Sequence, residues 1–177
     1  MQLSGRDAAQ YVYAPQFDPK QVQPATVDLT MASHFLYLKA PDDGKQRVVY
    51  KRGKPPEYVG VIQDVLVLHP GQFMLGSTQE SLRLPEWIAG RIEGKSTLGR
   101  LGIIVHITAG FIDPGYSGRP TLEFYNVGPR VVEIHAGDPV AQLALYEMKN
   151  YDAEIGYRPQ RYDGHYQGDS RTTGAQW

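Results

Sequence analysis

Apolar residues come in short runs along most of the chain. After QPATVDLTM at 23–31, the segments HFLYLK, RVVYK, DVLVLHP, QFMLGST, GIIVHIT, TLEFYNV, RVVEIH and VAQLALYEM follow one another, each bounded by Gly, Pro or charged residues. Runs of this length with turn residues between them predict an all-β sandwich or barrel rather than alternating strand–helix units. Helical signals are confined to two stretches. One runs from Ser4 to about Tyr11, with Ser4 as N-cap and Asp7 three residues on in place of the Glu of a capping box. The other is Leu84 to Ile88, where Pro85 suits a first turn that leads into a GKSTLGR loop. Residues 40–59, APDDGKQRVVYKRGKPPEYV, hold much of the central charge and read as a solvated hairpin or loop. From Met148 onward the chain is polar and rich in Gly and Tyr, without helical or strand periodicity. The pattern therefore divides the chain into one β domain over 1–147 and a tail over 148–177, which is either a solvated extension or a lid that orders over a ligand.

At 177 residues the chain is long enough for one domain to bury its own core. The 18 Lys and Arg balance 19 Asp and Glu, so no global field draws the protein to nucleic acid or to an acidic membrane surface. Any anion site must be local. Cysteine is absent, which removes disulfides and thiolate metal ligands. The first residues lack the apolar core of a signal peptide, and no stretch approaches the ~20 apolar residues of a membrane span. These features predict a soluble, cytoplasmic protein with neither a nucleic-acid nor a membrane partner.

Two segments carry chemistry. In GKSTLGRLG at 94–102, Lys95, Ser96, Thr97 and Arg100 offer two cations, two hydroxyls and loop amides. That set suits phosphate oxygens, although the spacing is not that of a P-loop and a plain charged turn has the same composition. Thr121 to Val127 reads as a strand. Alternation places Thr121, Glu123 and Tyr125 on one face and Leu122, Phe124 and Asn126 on the other. Glu123 is then either a charge on a solvated sheet face or a pocket carboxylate suited to take a proton from water and pass it on.

GKSTLGRLGIIVHITAGFIDPGYSGRPTLEFYN, residues 94–126, resembles the signature of the dCTP deaminases, members of the dUTPase-like trimeric family. QPATVDL at 23–29 resembles the family's N-terminal block, and weaker likeness runs to Gln142 and again through HYQG in the tail. The resemblance implies a mainly β fold, a distorted, jelly-roll-like barrel of the β-clip type with a few short helices. It also implies a homotrimer with shared active sites, dCTP as substrate, a dTTP feedback ligand and Mg²⁺ bound with the triphosphate. Position by position, it assigns Lys95, Ser96, Thr97, Leu98, Gly99 and Arg100 to the triphosphate and Glu123 to general acid/base catalysis. Asp113 falls at the deoxyribose and base end, Tyr116 against the sugar, and Thr108 and Ala109 beside the water and base edge. Thr121, Leu122, Gln142 and Tyr157 match further nucleotide contacts.

The family tail reads like KYQGQ, whereas this chain reads HYQGD, placing His165 and Asp169 at positions that reach phosphates in the family. An aspartate there would be repulsive unless it faced a metal ion or solvent, and His165 is a cation only when protonated. Zinc deaminases need cysteine ligands, which this chain lacks, so the deamination implied is zinc-independent. The spellings GKSTLGR and TAGFIDPG look more like the bifunctional members that carry dCTP on to dUMP. Two other readings stand beside this one. One is a dUTP diphosphatase, which usually carries a second carboxylate where this chain has Gly115; the other is a nucleotide-binding trimer without turnover.

Overall fold

A computed structural model describes residues 1–39, 55–149 and 167–174. Helix α1 (Gly5–Ala9) starts where the cap pattern predicts. The Ser4 Oγ accepts the Asp7 N–H at 3.2 Å, which caps the helix, and its hydroxyl donates to the Asp7 carboxylate at 2.7 Å, a side-chain bond in place of the reciprocal backbone bond of a full capping box. The helix stops at Ala9, short of Tyr11, and the chain enters β1 (Val12–Tyr13). A 3₁₀ turn at Pro19–Gln21 precedes the 12-residue strand β2 (Val27–Leu38). Then come β3 (Tyr58–Ile62), β4 (Val65–Leu68), β5 (Phe73–Thr78), β6 (Ser81–Arg83) and β7 (Ile88–Gly94). A single helical turn, α2 (Ser96–Arg100), leads to β8 (Ile103–Ile104), β9 (Phe111–Ile112), β10 (Ser117–Gly118), β11 (Thr121–Asn126), β12 (Val132–His135) and β13 (Pro139–Glu147).

Most strands join one curled sheet ordered β8-β11-β5-β2-β13-β7-β9, with β3 on a second side of β2. The curl originates in β2. Its first residues pair with β13, its last pair with both β3 and β5, and the register against β5 shifts between Met31 and Phe35. One long strand thereby serves two walls, as a bulge permits. Two small sheets, β1-β6-β10 and β12-β4, complete the mainly β fold. The core is filled by Phe35, Phe124, Leu29, Met31 and ten or so further aliphatic side chains at or near zero exposure. Each contributes about 1.5–3 kcal/mol of apolar burial, opposed by its share of ordering entropy. On β11 the alternation holds as read: Leu122, Phe124 and Asn126 are buried, and Thr121, Glu123 and Tyr125 face outward. Buried Asn126 is fully used, donating to the Leu68 and Arg130 carbonyls and accepting from the Gly128 N–H.

Two expectations change. Leu84 to Ile88 is not a helix: one turn, closed by the Ile88 N–H to the Pro85 carbonyl, leads into β7. Continuous pairing of Ile88–Gly94 with β13 and burial of Ile88, Ala89 and Ile92 outweigh the local helix signal. The expected GKSTLGR loop is helical over Ser96–Arg100. Strand β3 begins at the end of the stretch read as a solvated hairpin or loop, while RVVYK lies outside the described residues.

Candidate active site

The outward face of β11 forms one wall of a cavity of about 430 Å³. Glu123 lies on that wall with 27% of its side chain exposed. Its Oε2 accepts the Ile107 N–H at 2.9 Å and the Thr108 N–H at 3.3 Å, from the bend between β8 and β9. Two amide donors on one oxygen fix the carboxylate's direction and leave the other oxygen available to a ligand. Across the cavity, the DPGY turn closes by the Tyr116 N–H to the Asp113 carbonyl, with Gly115 at φ +81°. That turn brings Asp113 and the mostly buried Tyr116 to the lining together, beside Ala109 and Thr121.

His106 lines the same cavity, and no motif in the sequence singles it out. Its side chain is 9% exposed, Nδ1 lies 3.8 Å from Glu123 Oε2, and both ring nitrogens are buried without a hydrogen-bond partner. At 3.8 Å the pair is beyond direct hydrogen bonding.

The end of the tail closes the cavity's rim. Gln167 accepts the Ser117 N–H and donates to the Gly115 carbonyl, and the Gly168 N–H donates to the Ser117 carbonyl. The Arg119 N–H reaches the Asp169 carbonyl at 2.7 Å, and Thr172 Oγ1 donates to the His34 carbonyl at 2.6 Å. Asp169, Thr173 and Gly174 line the cavity. Asp169, which the resemblance places with phosphates, lies on the wall of the cavity that holds Glu123. Thr173 and Arg119 also line it, and no sequence signal singled either out.

The residues assigned to the triphosphate gather elsewhere. Lys95 caps α2 without a side-chain capping bond, and its ammonium sits 2.8 Å from both carboxylate oxygens of the largely buried Asp28. Ser96, Thr97, Gly99 and Arg100 are exposed on the turn, while Leu98 is buried and anchors it. Gln142 lies on β13 opposite Asp28 and Glu93, with Thr26 Oγ1 3.5 Å from its Oε1. None of residues 95–100, nor Gln142, lines the cavity that holds Glu123. Leu122 turns its side chain into the core, so it offers a ligand only backbone. Tyr157 and His165 lie outside the described residues.

A family model described as dCTP deaminase-like matches residues 2–148. A dUMP-forming dCTP deaminase from Pseudarthrobacter chlorophenolicus is 37% identical over 98% of this chain and 93% of its own length. Relatives of the same name from Kocuria rhizophila and Dictyoglomus thermophilum are 39% and 38% identical, covering 88% and 89% of this chain and 81% and 85% of theirs. Among solved structures, the 2'-deoxycytidine 5'-triphosphate deaminase of Agrobacterium tumefaciens aligns with a TM-score of 0.60 at 23% identity. It covers 81% of this chain, which in turn spans about half of that one (47%), and the likeness is one of fold.

Proposed function

Because the chain belongs to the dCTP deaminase-like family, we propose that it hydrolyses dCTP to dUMP, ammonia and diphosphate. The observation that carries this reading is Glu123, a carboxylate fixed by two backbone amides at the wall of a nucleoside-sized cavity. Glu123 takes a proton from a water in the cavity while the resulting hydroxide adds to C4 of cytosine, and returns that proton to N3. It then moves the proton of the new C4 hydroxyl to the amino group. The C4–N4 bond breaks, ammonia leaves, and the ring keeps a carbonyl. A second water opens the bond between the α-phosphorus and the bridging oxygen, releasing diphosphate. The name shared by the relatives supports the second step.

Asp113 and Tyr116 are assigned to the sugar end and Ala109 to the base edge, in keeping with their places on the lining. The exposed α2 turn supplies Ser96, Thr97, the loop amides and Arg100 to the triphosphate. Since that turn and the Glu123 cavity are separate in one chain, the complete site is shared between copies of a homotrimer. Exposed Leu101, Ile104, Ile107 and Phe111 near both regions support an interface there. Among the described residues no three His, Cys, Asp or Glu side chains cluster as a metal cage. This donor set fits Mg²⁺ held chiefly by phosphate oxygens and water, with hydroxyls of Ser96 and Thr97 nearby. When bound, the ion neutralises phosphate charge. No helix among the described residues is long and apolar enough to cross a membrane, in keeping with a cytoplasmic enzyme.

Incubation with dCTP and Mg²⁺ tests the reading. Equal amounts of dUMP, ammonia and diphosphate are expected. Accumulated dUTP would limit the activity to deamination, and absence of ammonia would refute it. Glu123→Gln should slow ammonia release by about 10²–10⁴-fold with dCTP binding retained. A dUTP diphosphatase is the weaker reading, because its second carboxylate would fall at position 115, where φ of +81° suits glycine.

A further inference from the structure

Asp169, Thr173 and Thr121 form a chain of hydrogen bonds along the wall of the Glu123 cavity. Thr173 Oγ1 donates to Asp169 Oδ2 at 2.9 Å. The backbone N–H of Thr173 donates to Thr121 Oγ1 at 3.1 Å, and the two threonine oxygens are 3.3 Å apart. A carboxylate only accepts, and a hydroxyl has one proton and two lone pairs. The proton of Thr173 is committed to Asp169, so in the contact between hydroxyls Thr121 is the donor. One lone pair of Thr121 is taken by the Thr173 amide. What Thr121 has left for the cavity is a single acceptor.

We propose that Asp169 and Thr173 fix the hydrogen-bond polarity of Thr121, making it a specificity-determining acceptor that favours a ligand group bearing N–H over one bearing lone pairs. The inference rests on the dCTP reading above and deepens it. Cytosine carries an exocyclic amine where uracil and thymine carry a carbonyl oxygen, so this wall favours the substrate ring over the product ring. It also gives the aspartate that departs from the family tail a use at the base end of the site, away from the phosphates its charge would repel. Strand alternation places Thr121 on the face of Glu123, two residues away, within reach of the same ring.

Binding of the non-hydrolysable α,β-imido analogues of dCTP and dUTP, measured by calorimetry in a Glu123→Gln background so that neither deamination nor diphosphate release occurs, tests the relay. Thr173→Val keeps the shape and removes the hydroxyl; the dCTP-over-dUTP preference should fall about tenfold, the scale of one mispaired polar contact. Thr173→Ser should keep it. Asp169→Asn can donate through its amide and reverse the chain, moving the ratio toward dUTP, whereas its lost charge acts on both nucleotides alike and cancels in the ratio. A ratio unchanged by Thr173→Val, or by Asp169→Asn should the valine variant not fold, overturns the relay while dCTP binding leaves the deaminase reading standing. A parent protein that binds neither nucleotide overturns both.

Discussion

Lys95 is the residue whose surroundings most change its meaning. In the sequence it reads as a free cation for phosphate, but in the fold its ammonium bridges both oxygens of Asp28, whose side chain is 10% exposed against 25% for Lys95. Removing one partner of such a pair leaves the other charge stranded, at a cost of about 1–3 kcal/mol. Lys95→Met is therefore expected to lower stability by that amount in urea titrations, and adding Asp28→Asn should restore part of it. Strictly additive losses would show that the two charges do not depend on each other. Glu123 is the contrasting case. Its outward direction was legible from alternation alone, because Leu122 and Phe124 beside it are too apolar to face water. The two amides that hold it come from residues 16 and 15 positions earlier, a relation that no local pattern contains.

Among the elements, β2 decides most. Its register shift between Met31 and Phe35 turns one strand into the edge shared by two walls, and the carbonyl of His34 in that shift receives the tail through Thr172. The His34 ring is packed with Nδ1 unpartnered, and it shares a cleft with Asp169 and Arg171 of the tail. Burial first, and the Arg171 charge second, push its pKa below the ordinary 6.5. The neutral ring is thus the form the fold prefers. Its contribution is complete above the ordinary histidine value and is lost as pH falls through the lowered one. The thermal midpoint should drop on acidification below about pH 6.5, and His34→Gln should flatten that drop. A midpoint with the same pH dependence in both proteins would remove His34 from the tail's seat. Helix α1 was readable because its cap lies within four residues. The stretch 84–88 carries a local helix signal, yet from Ile88 onward the conformation is set by a partner strand more than fifty residues away, β13.

For the whole molecule, the proposed homotrimer, with each site shared between an α2 turn and a Glu123 cavity, leads to a complementation test. Glu123→Gln and Arg100→Ala should each be inactive alone, yet mixed trimers of the two should regain a fraction of wild-type turnover, since some sites then combine an intact cavity with an intact turn. Mixed assemblies with no activity would place both halves of the site in one chain. Residue type and near neighbours suffice to establish the strand-rich class, the α1 cap, the outward face of Glu123 and the exclusion of a thiolate metal centre. It takes the folded chain to pair Lys95 with Asp28, to set His106 beside Glu123, and to bring Asp169 and Thr173 to the cavity wall. Each of those contacts joins residues 17 to 67 positions apart or is made by a tail docked on distant strands, and chain folding alone sets which distant groups meet.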